Sequence, residues 1–165
     1  MALSLASMAF YRGLCPEDVA AASGLPTKTV DGILNGDVSL SSLSTGEQRA
    51  LGHAFGLSLD GLLEAERRRE SARLPQSLRR HFWDTRFDAL DRKANQDQIV
   101  TRLLERAGTE GLRWVIYAYS PSELRETARR TRRLTPVTAN FLRETLGLSR
   151  DEMAYYRVRP LERWR

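Results

Sequence analysis

Helix start and stop signals recur along this chain and constrain its fold more than any other feature. In a capping box, a serine or threonine side chain accepts a hydrogen bond from a first-turn amide, and a glutamate three residues later reaches back. Ser44–Glu47, Ser120–Glu123 and Ser149–Glu152 fit this pattern, and no stretch shows the alternation of a convincing strand. The sequence therefore predicts an all-α fold, with helices at about 3–12, 16–23, 27–34, 44–55, 58–72, 77–83, 95–107, 110–119, 121–133, 136–146 and 150–157.

Charge divides the chain into two parts. Residues 1–66 contain three basic and eight acidic residues, a net charge of −5, whereas residues 67–165 contain 23 basic and 13 acidic residues, a net charge of +10. A hydrophobic content of 41% excludes a disordered chain, and the length fits one or two small domains. We predict a domain over 1–66, a helical linker over 67–76 and an arginine-rich helical domain over 77–165.

Several function classes are excluded by what the sequence lacks. The single cysteine, Cys15, cannot form an internal disulfide, and no apolar run approaches the ~20 residues that span a bilayer. The N-terminal segment lacks the basic region of a signal peptide. His53 and His81 have no further ligands at metal-binding spacing, and no glycine-rich phosphate loop follows a strand. We expect a cytoplasmic protein that is not an enzyme and needs no metal or cofactor.

Residues 14–36 carry the most informative pattern. They predict a short helix, a tight turn at Gly24 and a second short helix. Spacings of three and four residues place apolar side chains on one side of each helix. We expect Val19, Ala20, Val30, Ile33 and Leu34 to face the core, and the small Ala21 and Ala22 to permit a close crossing.

The opposite face of the second helix is short and polar. Threonine, lysine and asparagine offer donors and acceptors to base edges and phosphates, so a protruding helix of this kind can enter a DNA major groove. The same face also suits a solvated surface of a small bundle. The candidate DNA-binding residues on it are Thr27, Lys28, Asp31 and Asn35, with Thr29 on the flank.

This pattern resembles the Xre/Cro (lambda-repressor-like) family of helix-turn-helix proteins over about 60 residues. Gly24-Leu25 matches the family's turn, Thr27–Val30 the start of its recognition helix, and Leu51–Leu63 its fourth and fifth helices. The resemblance implies a five-helix domain that binds double-stranded operator DNA, as a homodimer on paired half-sites, with Arg12 as a further cation near the groove. Pro16 is a departure, because many members have a DNA-contacting glutamine at that position.

The second part concentrates its arginines in residues 121–133. If this segment is one helix, several arginines share a face. Such a stripe suits a solvated surface, nucleic-acid phosphate or an acidic protein partner. The candidate partner- or phosphate-binding residues are Arg125, Arg129, Arg130, Arg132 and Arg133.

Three segments of the second part, Phe82–Asp84, Leu112–Trp114 and Arg132–Phe141, look like a little-characterised helical domain. That domain resembles one found in antitoxin-like regulators encoded beside nucleotidyltransferase-type toxins. The resemblance implies a bacterial toxin–antitoxin role, in which this domain binds the toxin and the first domain represses the operon.

Two hypotheses of different class follow from the sequence. One is a sequence-specific DNA-binding repressor, the antitoxin of a toxin–antitoxin operon. The other is a protein-interaction adaptor whose helix-turn-helix no longer binds DNA, which the acidic first domain and Pro16 favour. RNA binding by the arginine stripe is a third, weaker option.

Overall fold

The fold is all-α, as the sequence predicts. The computed structural model describes residues 5–158, except the side chains of Phe10 and Tyr11, and none of these residues forms a strand. No helix in this range is long and apolar enough to cross a membrane. Short 3-10 turns occupy Leu40–Ser42, Gln76–His81 and Phe87–Ala89. The helices are α1 (Leu5–Arg12), α2 (Pro16–Ser23), α3 (Thr27–Asn35), α4 (Thr45–Ala54), α5 (Leu59–Glu70), α6 (Gln96–Arg106), α7 (Gly108–Ala118), α8 (Pro121–Arg130), α9 (Pro136–Leu146) and α10 (Ala154–Val158).

The chain divides into two compact units. The first extends to Ala72 and includes Ile116–Ser122, and the second comprises Arg73–Val115 and resumes at Glu123. In the first unit, α2 packs against α3 and α4, and α4 packs against α5. These contacts enclose one apolar core, whose buried members are Leu5, Ala9, Val19, Ala20, Leu25, Val30, Ile33, Leu40, Leu51, Phe55 and Leu62.

The local signals of the first unit form the expected structures. Ser44 begins α4 as a complete capping box: its backbone N–H donates to Glu47 at 2.8 Å, and the Glu47 N–H donates to the Ser44 hydroxyl at 3.3 Å. Val30 and Ile33 are buried, and Leu34 packs against the core. The expectation for Ala21 and Ala22 is wrong, because both side chains are exposed and no close crossing uses them.

The second unit is built around α6. Ile99, Val100 and Leu103 of this helix are fully buried. Gln96 ties α6 to α8, because its side-chain amide donates to the backbone oxygen of Glu123 at 2.6 Å and to the Thr127 hydroxyl at 2.9 Å. These two hydrogen bonds satisfy the side-chain N–H groups of Gln96, which would otherwise be buried without acceptors.

Several helix boundaries differ from the sequence prediction. The segment predicted as helix 77–83 is a 3-10 turn, Gln76–His81. The helix predicted over 58–72 ends at Glu70. The Ser149–Glu152 box forms, with the Ser149 N–H 3.0 Å from the carboxylate, but α10 begins only at Ala154. The helix predicted over 121–133 ends at Arg130.

The early end of α8 has a local cause. Pro136 disfavours helical geometry at the preceding residue, and Thr135 instead begins α9 by accepting a hydrogen bond from the Thr138 N–H at 3.3 Å. Residues 131–135 consequently form no regular structure. Arg132 and Arg133 therefore do not extend a face of α8, and the prediction of a single helical stripe is wrong for these two residues.

Candidate nucleic-acid interfaces

The first candidate surface is the outer face of α3. Thr27, Lys28 and Asp31 are exposed on it, whereas Thr29 and Asn35 are half-buried. The helix is held by its buried inner face and ends at a left-handed glycine, whose N–H donates to the Ile33 carbonyl at 3.1 Å. The buried apolar face of α3 thus fixes the helix in the core, and its short polar face is exposed to solvent.

Asp31 and Asn35 form one polar unit on this face. The Asn35 amide donates to both the backbone oxygen and the carboxylate of Asp31, each at 2.9 Å. The face carries one anion, Asp31, and one cation, Lys28. The α3 face therefore carries hydrogen-bonding groups without an excess of positive charge.

Arg12 has a structural contact that the sequence did not predict. Its guanidinium donates to the backbone oxygen of Phe55 at 2.9 Å. Phe55 is the C-cap residue that follows α4, so this cation lies at the negative end of the helix dipole. Arg12 is exposed, and one of its donors is committed to joining α1 to the end of α4.

The three candidate arginines of α8 are engaged within the second unit. Each donates to an oxygen of a different element, so these side chains link α8 to its neighbours rather than projecting as an unpaired row. Their acceptors are the Leu146 carbonyl for Arg125 (3.2 Å), the carboxylate of Glu152 for Arg129 (2.8 Å) and the carboxylate of Asp97 for Arg130 (3.1 Å). Arg129 also contributes to holding the pKa of Glu152 at about 2.

A groove runs between α6 and the 131–135 segment. It has a volume of about 1000 Å³, and we call it the α6 groove. Within residues 5–158, no salt bridge joins Arg106, Arg132 or Arg133 to a carboxylate, and all three are exposed. Its lining residues are Asp97, Gln98, Thr101, Arg102, Glu105, Arg106, Arg130, Thr131, Arg132, Arg133, Leu134 and Thr135.

An exposed tryptophan stands beside two of these arginines. The Trp83 side chain is 65% exposed, and the guanidinium carbons of Arg106 and Arg102 lie 4.8 and 5.4 Å from its ring centroid. Arg102 also donates two hydrogen bonds to the Asp84 carboxylate, one of them 2.8 Å long. Trp83 is not among the binding residues predicted from the sequence. The signal was present, because a tryptophan directly before an aspartate and outside any apolar periodicity suits a surface position.

Asp84 is expected to titrate near pH 2, because Arg102 holds its pKa at about 2 against an ordinary value of 3.8. Since the folded-state pKa is lowered, the stabilisation from this pair is present above about pH 4 and is lost as the pH falls towards 2. An NMR titration of the side-chain carboxyl measures this pKa. Arg102→Ala should return it towards 3.8, and Arg113→Ala should leave it unchanged. A midpoint near 3.8 in the unaltered protein would contradict the ion pair.

Two further observations concern metal binding and the reactivity of the single cysteine. Among the described residues, no group of three or more His, Cys, Asp and Glu side chains could hold a metal ion. Cys15 is exposed, and a hydrogen bond with Asp18 raises the pKa of its thiol. A raised pKa reduces the thiolate fraction, which is opposite to the change that activates a cysteine nucleophile.

Comparison with known proteins gives one match. A family described as "Family of unknown function (DUF6922)" matches residues 78–128, about a third of the chain. The match extends from the second 3-10 turn through α6 and α7 into α8, and so includes Trp83 and the arginines of α6. Neither the curated proteins nor the solved structures gave a match.

Proposed function

We propose that the protein is a transcriptional repressor that binds double-stranded operator DNA through the outer face of α3. The observation that carries this proposal is the division of α3 into an inner face fixed in the core and an outer face of exposed Thr27, Lys28 and Asp31. A helix presented in this way, after the three-residue turn that follows α2, fits the geometry by which recognition helices enter a major groove.

The chemistry of this face suits base recognition better than phosphate binding. Hydroxyl, amide and carboxylate groups can bond base edges, whereas Lys28 is its one cation among the five candidate side chains. Non-specific affinity comes mainly from neutralised phosphates. We therefore assign the phosphate contacts to a second protomer on the paired half-site and to the arginines of the second unit.

The antitoxin role is the second element of the proposal. An exposed apolar pair on α9 supports a protein partner: Val137 is 79% exposed and Phe141 39% exposed, four residues apart on one helix face. Exposed apolar side chains of this kind suit the apolar centre of a protein interface. The partner would be a nucleotidyltransferase-type toxin encoded beside the repressor.

The test is binding of the full chain to the DNA upstream of its own gene. Thr27→Ala and Lys28→Ala should each weaken operator binding by about 5- to 150-fold, because each removes a contact to a base edge or phosphate. Lys28→Ala should also reduce the salt dependence, by about one phosphate equivalent if the lysine binds the backbone. Electrophoretic mobility shift or anisotropy at two salt concentrations, with scrambled DNA, measures both effects.

Arg49→Ala is the matched control, because Arg49 is an exposed cation of the first unit on α4. Its removal should change operator affinity by less than the removal of Lys28. Equal weakening by both would mean that only overall charge matters and would overturn recognition through α3.

The alternative function is an adaptor that binds its partner without DNA. The anion of Asp31 on the α3 face and the acidic balance of residues 1–66 favour it. Under this alternative, the protein co-purifies with the product of the neighbouring gene and shifts no DNA. Val137→Glu should then abolish co-purification, while Thr27→Ala leaves it intact.

A further inference from the structure

We propose that the α6 groove, together with Trp83, binds single-stranded nucleic acid. This site lies in the second unit and is separate from the α3 face, so the inference does not depend on operator binding. Its components are an exposed aromatic ring, cations along an open groove that form no salt bridge within residues 5–158, and polar side chains between them. These are the features with which proteins bind unpaired bases and the backbone that joins them.

The cations of the groove are available to a backbone. Arg132 and Arg133 are exposed in a segment without regular structure, and Arg106 is exposed at the end of α6. Within the range 5–158, no carboxylate forms a salt bridge with any of the three. Guanidinium groups bind phosphate through paired donors, so three of them along one groove suit successive phosphates.

The two carboxylates that line the groove both accept hydrogen bonds from within the second unit. Asp97 accepts hydrogen bonds from Arg130 and from the Thr127 hydroxyl, at 3.1 and 3.0 Å. Glu105 accepts the backbone N–H of Thr135 at 2.7 Å. Arg130 pairs with Asp97, whereas the N–H that Glu105 accepts is neutral and leaves its charge in place. The lining still carries five arginines against two carboxylates, so its net charge is positive.

Trp83 provides a stacking surface next to these cations. Arg102 and Arg106 are four residues apart on α6 and therefore approach the indole from the same helix face. The Trp83 residue remains 65% exposed although both guanidinium groups lie near its ring. A base can stack on the uncovered part of the indole, and guanidinium planes themselves stack on bases.

The same features favour a single strand over a duplex or an acidic peptide. In a duplex the bases stack on one another, so an exposed indole has no free base face to contact. An acidic peptide would use the arginines but would not need the aromatic ring. Substitution of Trp83 should therefore weaken binding of a single strand but not binding of a duplex or an acidic peptide.

Anisotropy of fluorescein-labelled oligouridylate and oligothymidylate, titrated with the full chain, tests the site. Trp83→Ala should weaken binding by about 5- to 150-fold, the effect of removing the stacking surface for one base, and Trp83→Phe should retain most of the affinity. Arg132→Ala with Arg133→Ala should reduce the slope of log affinity against log salt by about 0.7 for each phosphate that is no longer neutralised. Tighter binding of one sugar type identifies RNA or DNA as the natural source.

Controls separate this site from general charge and from α3. Arg113→Ala removes an arginine of the same unit outside the groove and should leave affinity nearly unchanged. Lys28→Ala should also leave it unchanged, even if that variant no longer binds operator DNA. Equal weakening by Arg113→Ala, no effect of Trp83→Ala on single-strand binding, an equal loss of duplex affinity in Trp83→Ala, or displacement by polyglutamate at matched charge would each overturn the proposal.

Discussion

Replacing Glu123 with glutamine is expected to lower the free energy of unfolding by about 3–5 kcal/mol, because it removes the negative charge beside a buried guanidinium. The Arg92 side chain is only 6% exposed, and its Nη1 lies 3.1 and 3.3 Å from the two carboxylate oxygens of Glu123. Glutamine keeps the shape and one acceptor oxygen but removes the negative charge. Urea denaturation followed by circular dichroism measures the destabilisation.

Glu126→Gln is the matched control, because Glu126 lies one turn further along α8. Its partner Arg130 is 3.8 Å away, and both side chains are more than half exposed. An exposed pair of this kind contributes about 0–1 kcal/mol. If the two substitutions were equally costly, burial of the Arg92 pair would not be what stabilises this end of α8. Combining Arg92→Met with Glu123→Gln should recover much of the stability, since no buried charge then remains.

Local chemistry explains why so much of the helical pattern could be predicted from the sequence. Ser44 and Glu47 cap α4 through atoms three residues apart, and Thr135 with Pro136 starts α9 in the same way. The exposed face of α3 follows from periodicity, because Val30 and Ile33 fix which side is buried. Signals confined to one turn of helix do not depend on the rest of the fold.

The prediction failed where two local signals compete. The arginines of 129–133 are good helix formers and favour continuation of α8, whereas Pro136 and the cap at Thr135 require an extended approach to α9. The structure follows the proline and the cap. As a consequence, Arg132 and Arg133 line the α6 groove instead of following the α8 face.

Contacts between distant residues could not be predicted at all. Arg12 and Phe55 are 43 residues apart, and no periodicity relates them. Gly36 ends α3 with a φ of 85°. A Cβ there would also lie 2.5 Å from the Ser120 side chain, a constraint that depends on tertiary packing. The sequence thus indicated the α3 face, whereas the α6 groove and the contacts of Trp83 with Arg102 and Arg106 required the structure.

Phe55→Ala is expected to destabilise the first unit by about 3–5 kcal/mol, because the ring is fully buried in the core that holds α3. The backbone oxygen that accepts from Arg12 remains in the variant, so the destabilisation reports the ring and the cavity it leaves. Domains of this size have about 5–15 kcal/mol in total. A destabilisation of this magnitude should therefore unfold part of the population and weaken operator binding without changing any residue on the α3 face.

His53→Ala provides the comparison for this effect, because His53 is exposed on the last turn of α4. A surface change there should shift stability by no more than about 0.5 kcal/mol. Urea denaturation and operator binding, measured on the same preparations, then separate two causes. If Phe55→Ala abolished operator binding without lowering the free energy of unfolding, the effect of Phe55 on binding would not act through the stability of this core. If stability and binding fall together and recover together on cooling, the core acts on DNA only by holding α3 in place.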